Sequence, residues 1–284
     1  MTERLADVSA RIDGIRQLGA VVNAIKGIAA ARANTARDEI EAVDSYAATI
    51  AAAISDALGP ARPTPPAETS GGQADGGIGL LVFCAEQGFA GAFSERVLDS
   101  VKDDLSTASL FLIGTRGLSI AAARGLHPVW SAPMSSHTPG IPKLADTITK
   151  AIYRALGEGH LERIDMIHAV WASGQPQVVR QALLPVDLSD LPPPGATRPL
   201  TQLPTDTLIN SLSGDYLHAL VSKAALHAFA AENEARMEAM SAAANQITRE
   251  LGHFEATLRR VRQEAITAEI IELGTGAASA TDSR

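Results

Sequence analysis

The sequence predicts an α/β plus α fold: two long helices at the chain ends pair as an antiparallel coiled coil, and a small α/β domain is inserted between them. Three observations lead there. All fifteen prolines lie between Pro60 and Pro204. Proline inside a helix removes a hydrogen bond and clashes with the preceding turn, at about 3 kcal/mol, so both proline-free ends are free to run as long helices. Near the C-terminus, Met237, Met240, Ala244, Ile247, Leu251, Phe254, Leu258, Val261 and Ala265 alternate spacings of three and four, a coiled-coil signature sustained over about four repeats. Between the ends, short apolar runs alternate with helical patterns, which is how a mostly parallel sheet is written.

The N-terminal helix is expected over residues 1–58. It enters helical periodicity at once through Leu5, Val8, Ile12 and Ile15. Leu18, Val22, Ile25 and Ala29 form one apolar phase, and Ala36, Ile40, Val43, Ala47, Ile50 and Ile54 another. The two phases do not join, so a local change of supercoil is expected between them. Gly14, Gly19 and Gly27 lie inside this helix. They read either as weak points rescued by packing or as places where another element comes close. The C-terminal helix is expected from 206, capped by Asp206 or Thr207, with the remainder to 284 as helix and tail. Its seam extends back through Leu226, Ala230 and Asn233, and Asn233 is the polar seam residue expected to fix register. At ~1.5 Å per residue the two helices would span about 84 and 100 Å, too long to stand alone and hence paired.

Residues 59–76 and 191–205 read as linkers rich in proline and small residues. The domain between them, 77–190, should be a small Rossmann-like sheet. Strands are expected at Ile78–Cys84, Leu110–Ile113, Pro128–Trp130 and Ile164–Trp171, with a last strand or edge at Val178–Leu184. Helices are expected at Phe93–Leu105, Gly117–Ala123 and Lys143–Leu156.

Composition narrows the function. A net charge of −8 argues against a general nucleic-acid binder. One cysteine, Cys84, precludes an internal disulfide and fits a reducing compartment. No apolar run reaches the ~20 residues of a membrane span, and no signal-peptide or transit-peptide layout opens the chain, so a soluble cytoplasmic protein is the expectation. No P-loop is present. After the first strand, Gly88 and Gly91 make only a G-x-x-G, which reads as a tight turn rather than a dinucleotide site. Gly114-Thr115-Arg116-Gly117 has the form of an anion cradle at a helix start but is equally an ordinary short loop. The histidines show no zinc spacing and no triad context is visible. Neither an active site nor a cofactor is expected.

The helical ends carry a basic signal. From Gly14 to Arg37 the only charges are Arg16, Lys26, Arg32 and Arg37, and Arg249, Arg259, Arg260 and Arg262 cluster near the other end. Antiparallel pairing is expected to bring the two stretches to one end, as a solvated face or as a contact for an acidic partner.

These residues also carry a resemblance. Arg262-Gln263-Glu264-Ala265-Ile266-Thr267-Ala268-Glu269-Ile270-Ile271-Glu272 and the following Gly276-Ala277 match every fixed position of R-Q-x-x-I-T-x-E-x-x-D/E-x-x-x-G-A. That pattern resembles the C-terminal signature of the gamma subunits of F-type ATP synthases. The run from Glu232 through Arg236-Met237 to Met240 is similar to that family's S-E-x-x-x-R-M-x-A-M, and the N-terminal segment from Ala24 to Arg32 and the turn Gly88–Phe93 resemble two further family segments. Ile25 and Gly27 stand where the family has methionines, Ala90 where it has cysteine, and Ala85-Glu86 where it has Ser-Asp, so the chain reads as a divergent bacterial member.

The resemblance implies a rotor shaft. The coiled coil would stand inside a ring of three alpha and three beta subunits, and the α/β domain would sit against an epsilon subunit and a membrane-embedded c-ring. The complex would lie on the cytoplasmic face of a bacterial plasma membrane, which the chain would reach only through its partners. Lys26, Arg262 and Gln263 would contact moving loops of the beta subunits, and Ile266, Thr267, Glu269, Glu272, Gly276 and Ala277 complete the signature. Two other readings remain open on the residues: a coiled-coil adaptor, and a small-ligand α/β enzyme with a coiled-coil arm.

Overall fold

The computed structural model describes residues 2–59, 77–159, 161–187, 191–195 and 199–281, with side chains from Leu5 to Ile271 among them. Most of the first linker and the side chains of Glu272, Gly276 and Ala277 therefore lie outside the described residues.

Helix α1 spans Thr2–Leu58 and α5 spans Thr205–Thr281. Between them come β1 (Gly77–Phe83), α2 (Phe93–Asp99), β2 (Ser109–Ile113), α3 (Thr115–Ala123), β3 (Trp130–Ala132), α4 (Ile141–Gly157), β4 (Leu161–Ala172) and β5 (Gln175–Leu184). The strand order is β3-β2-β1-β4-β5, with β1 to β4 parallel and β5 an antiparallel edge on β4. The expected α/β plus α class is what is observed.

The chain forms two compact units, one of Met1–Ile28 with Met237–Arg284 and one of Ala29–Arg236. In the second unit the sheet is covered on both faces, which is why β1 and β2 read as unbroken apolar runs. Leu81, Phe83, Phe111 and Met166 pack with α4 through Ile141, Ile148 and Ile152, and with α5 through Leu217, Val221 and Phe229. Leu80, Val82, Leu112 and Ile167 face the other way, onto Phe93 and Val97 of α2 and Ala121 of α3. The buried carboxylate Asp165 in β4 is matched by Arg163 and Arg180 at 2.9 and 2.8 Å. Burial pushes its pKa up, but the hydrogen bonds from the two guanidinium groups outweigh that and hold it below the usual carboxylate value.

Element boundaries shift for local reasons. Helix α2 stops at Asp99 rather than Leu105, and turns follow. There Ser100, Ser106 and Thr107 donate their hydroxyls to carbonyls three residues back, a local alternative to helix continuation. Strand β3 begins at Trp130, beyond Pro128, which has no N–H to give to the ladder. Helix α5 begins at Thr205, so Asp206 sits in its first turn rather than at its cap, where a negative charge still favours the helix start.

The expected change of phase in α1 is not found. Leu18 is 55% exposed. The less exposed positions of the first unit include Leu5, Val8, Ile12, Ile15, Gly19, Val22 and Lys26, with Ile25 beside Lys26 also partly buried as expected; those of the second include Ala29, Ala33, Ala36, Ile40, Val43, Ala47, Ile50 and Ile54. That is one unbroken alternation of three and four. It was hidden because two of its positions are a glycine and a lysine, neither of which scores as apolar. Gly19 is the one of the three helical glycines that is closely approached: a Cβ there would lie 3.3 Å from Ile247 Cγ2, whereas Gly14 and Gly27 face open space. On α5, every expected seam residue from Met237 to Ala265 is at least partly buried. Asn233 does not serve as the register residue. It donates to the Phe229 carbonyl of its own helix and accepts from Arg236.

Candidate functional site

In a parallel α/β sheet, ligands bind outside the carboxyl ends of the strands, where helix starts present free N–H groups. In this chain the place is taken by the protein itself. Glu86 follows β1, and its carboxylate accepts from the Thr115 N–H (2.9 Å), the Thr115 hydroxyl (2.7 Å) and the Met134 N–H (2.7 Å). Thr115 is the first residue of α3, so the Gly114–Gly117 loop does hold an anion, but an internal one. Gly114 adopts φ of 107°, and a Cβ there would lie 2.4 Å from the Cys84 carbonyl oxygen. The turn is therefore built on glycine in order to pass against β1. Gly88 and Gly91 serve the β1–α2 connection, with Phe89 and Gly91 at positive φ.

The turn 86–88 is gripped from α5. Glu232 accepts from the N–H groups of Glu86 (3.0 Å) and Gln87 (3.3 Å). Arg236 donates to the carbonyls of Gly88 (3.0 Å) and Gln87 (3.1 Å), to Asn233 Oδ1 (3.0 Å), and to Glu232 in an ion pair. Both side chains are buried, at 3% and 5% exposure. The family resemblance singled this run out without a role for either residue. The available signal was an acid and an arginine four apart on one helix face in a stretch otherwise rich in alanine.

The basic stretches are mostly consumed within the chain. Arg16 pairs with Glu255 at 2.9 Å, Arg32 donates to the Gln87 side chain, and Arg37 pairs with the buried Glu234. Arg249 donates to Gln246. Lys26, Arg259 and Arg262 make no ion pair among the described residues. Within the first unit, Gly19 lies against Ile247 and the Arg11 guanidinium lies 5.3 Å from the Phe254 ring centre, an antiparallel register. That register separates Lys26 from Arg262: the residues opposite Arg262 lie about 20 positions from Lys26, or roughly 30 Å at ~1.5 Å per residue. The two basic stretches overlap only near Arg16 and Arg249, so the expected merging at one end is confined to that level. Gln263 is adjacent to Arg262 and exposed, as are Ile266, Thr267 and Glu269. Leu18, Val21 and Ile28 on α1, and Ile266, Ile270 and Ile271 on α5, are each at least half exposed.

Other chemistry is sparse. Among the described residues no group of three potential metal ligands comes together, and no helix is long and apolar enough to cross a membrane. Burial pushes the Cys84 thiol up to about 12, which keeps it protonated and unreactive. A cleft of about 510 Å³ lies between Trp130, Phe111 and α4, at the opposite ends of the strands from Glu86.

A family model described as ATP synthase matches residues 4–280. The ATP synthase gamma chain of Bdellovibrio bacteriovorus is 25% identical over 289 aligned positions, covering 96% of this chain and 97% of that one. That of Beutenbergia cavernae is 26% identical over 282 positions, covering 94% and 95%. Among solved structures, a chain of the rotor of the Euglena gracilis mitochondrial ATP synthase superposes with a TM-score of 0.68 at 11% identity, covering 94% of this chain and all of that one. A match to the family model over nearly the full length decides the matter: the chain belongs to the ATP synthase family.

Proposed function

We propose that this chain is the central rotor shaft of an ion-translocating ATP synthase, with no catalytic site of its own. Its helix pair turns inside a hexamer of alpha and beta subunits, its α/β domain meets an epsilon subunit and a c-ring, and the complex sits on the cytoplasmic face of a bacterial plasma membrane. The match to the family model over residues 4–280 carries this reading. The heptad seams of α1 and α5 support it, because coupling needs an element that resists bending, and two helices joined by knobs in holes are stiffer than either alone. The internal anion at the start of α3 supports it against the ligand-binding enzyme, since Glu86 occupies the position a phosphate would take.

Lys26, Arg262 and Gln263 are the contacts to the hexamer in this reading. Lys26 and Arg262 make no ion pair among the described residues, which suits side chains that meet a partner. Co-expression with alpha and beta subunits tests the assignment: the expected result is a complex of one shaft per hexamer. Replacing Arg262 and Gln263 together by alanine should leave assembly intact and lower ATP-driven ion pumping per ATP hydrolysed. Recovery of the chain as a free homo-oligomer, with no hexamer bound, would favour the adaptor instead.

A further inference from the structure

Torque that enters an α/β domain must leave it through its contacts with the helix. Apolar packing alone is poorly suited to this. Burial of apolar area is non-directional, so it resists separation far more than sliding. Hydrogen bonds weaken steeply when bent, and those with ionised partners are about twice as strong as neutral ones. The strained contact should therefore be the place where charged groups of α5 hold backbone atoms of the domain.

Elsewhere among the described residues His218 of α5 meets a single carbonyl, that of Pro142, at 3.1 Å; a paired acid and arginine gripping several backbone groups occur at one place. Helix α5 presents Glu232 and Arg236 on one face, and between them they engage two N–H groups and two carbonyls of the single turn 86–88. Asn233, buried between them, holds the guanidinium in plane. The grip continues outward. The Glu86 carboxylate carries it to the first turn of α3 and to Met134, beyond the end of β3 at the far edge of the sheet. From α1, Arg32 reaches the Gln87 side chain and Arg37 pairs with Glu234, so the same turn is held from both helices. A polar path thus crosses the carboxyl end of the sheet from the helix to its outermost strand. The rest of the sheet–helix contact is mainly apolar, with the neighbouring rings of His168 and His227 as the polar exception.

We propose that Glu232 and Arg236 are positioning residues that fix the rotational setting of α5 against the α/β domain, forming a joint that does not slip under load. The proposal rests on the rotor-shaft reading. It adds where, within the shaft, force passes from domain to helix.

The test uses the whole complex reconstituted in vesicles, with ATP-driven pumping followed as the opposing ion gradient builds. Two variants are compared with wild type: Arg236→Lys, and Glu232→Gln combined with Arg236→Met, which removes the buried pair without stranding one charge. For the double variant the expected initial hydrolysis and pumping rates are near wild type, while ions moved per ATP fall several-fold as the gradient rises and the final gradient is lower. Arg236→Lys keeps the charge but cannot span both carbonyls, so it should fall between the two. A ratio equal to wild type at every gradient, in complexes of normal composition, would overturn the proposal. So would an equal loss at all gradients in both variants, which is the mark of general misfolding. If the wild-type chain itself failed to pump or to join a hexamer, the fault would lie with the rotor reading and not with the joint.

Discussion

Gly19 and His168 show how single residues set local stability. Gly19 occupies a seam position against Ile247, while Gly14 occupies open surface on the same helix. Both replacements by alanine recover about 1 kcal/mol of helix propensity. At Gly19 the new methyl must push Ile247 aside, so Gly14→Ala should raise the melting temperature and Gly19→Ala should raise it less or lower it. Equal shifts in thermal unfolding would show that the contact is unimportant. His168 is buried in β4, its Nδ1 has no hydrogen-bond partner, and the His227 ring lies 5.8 Å away. Burial, with help from His227 and Lys223, pushes its pKa down from 6.5 to about 4, and burial also lowers that of His227, against the pull of Asp44. A depressed histidine has a defined sign. Above pH 6.5 it is neutral in both states; as pH falls from 6.5 toward 4 only the unfolded chain takes up the proton, and stability is lost. The loss attributable to His168 at pH 5 is about 2 kcal/mol. His168→Leu should flatten the fall in melting temperature between pH 7 and pH 5; an unchanged slope would assign the acid sensitivity elsewhere.

Elements depend on distant residues for their ends. Helix α3 has no side-chain cap from its own N-cap residue, Gly114. Its first free N–H is met by Glu86, 29 positions earlier in the chain. Glu86→Ala would orphan that N–H and the one at Met134, at about 1–3 kcal/mol each if water does not enter. The melting temperature of the full chain should fall with helix content unchanged in the folded state; a wild-type melting temperature would mean that solvent replaces the carboxylate freely. Helix α2 ends at Asp99, where Ser100 turns its hydroxyl back to the Val97 carbonyl, and α5 runs unbroken through two roles. One stretch faces the sheet with Leu217, Val221 and Phe229, and the next pairs with α1 through Ile247 and its heptad neighbours.

For the molecule as a whole, the proline distribution and the heptad spacing were enough to place both long helices to within a residue or two at their inner ends, because helix period and helix breaking are local properties of the chain. Alternation of strands and helices placed the sheet for the same reason. The C-terminal signature carried the family, later matched over residues 4–280. The continuity of the α1 seam is not legible in hydropathy because it runs through Gly19 and Lys26, which belong to the seam by position alone. Tertiary structure alone decided three things: that Glu86 fills the crevice where a ligand would bind, that Arg32 and Arg37 are spent inside the chain, and that Lys26 and Arg262 lie at different levels of the helix pair. Each depends on which residues meet across long stretches of sequence, and no local period or propensity encodes that.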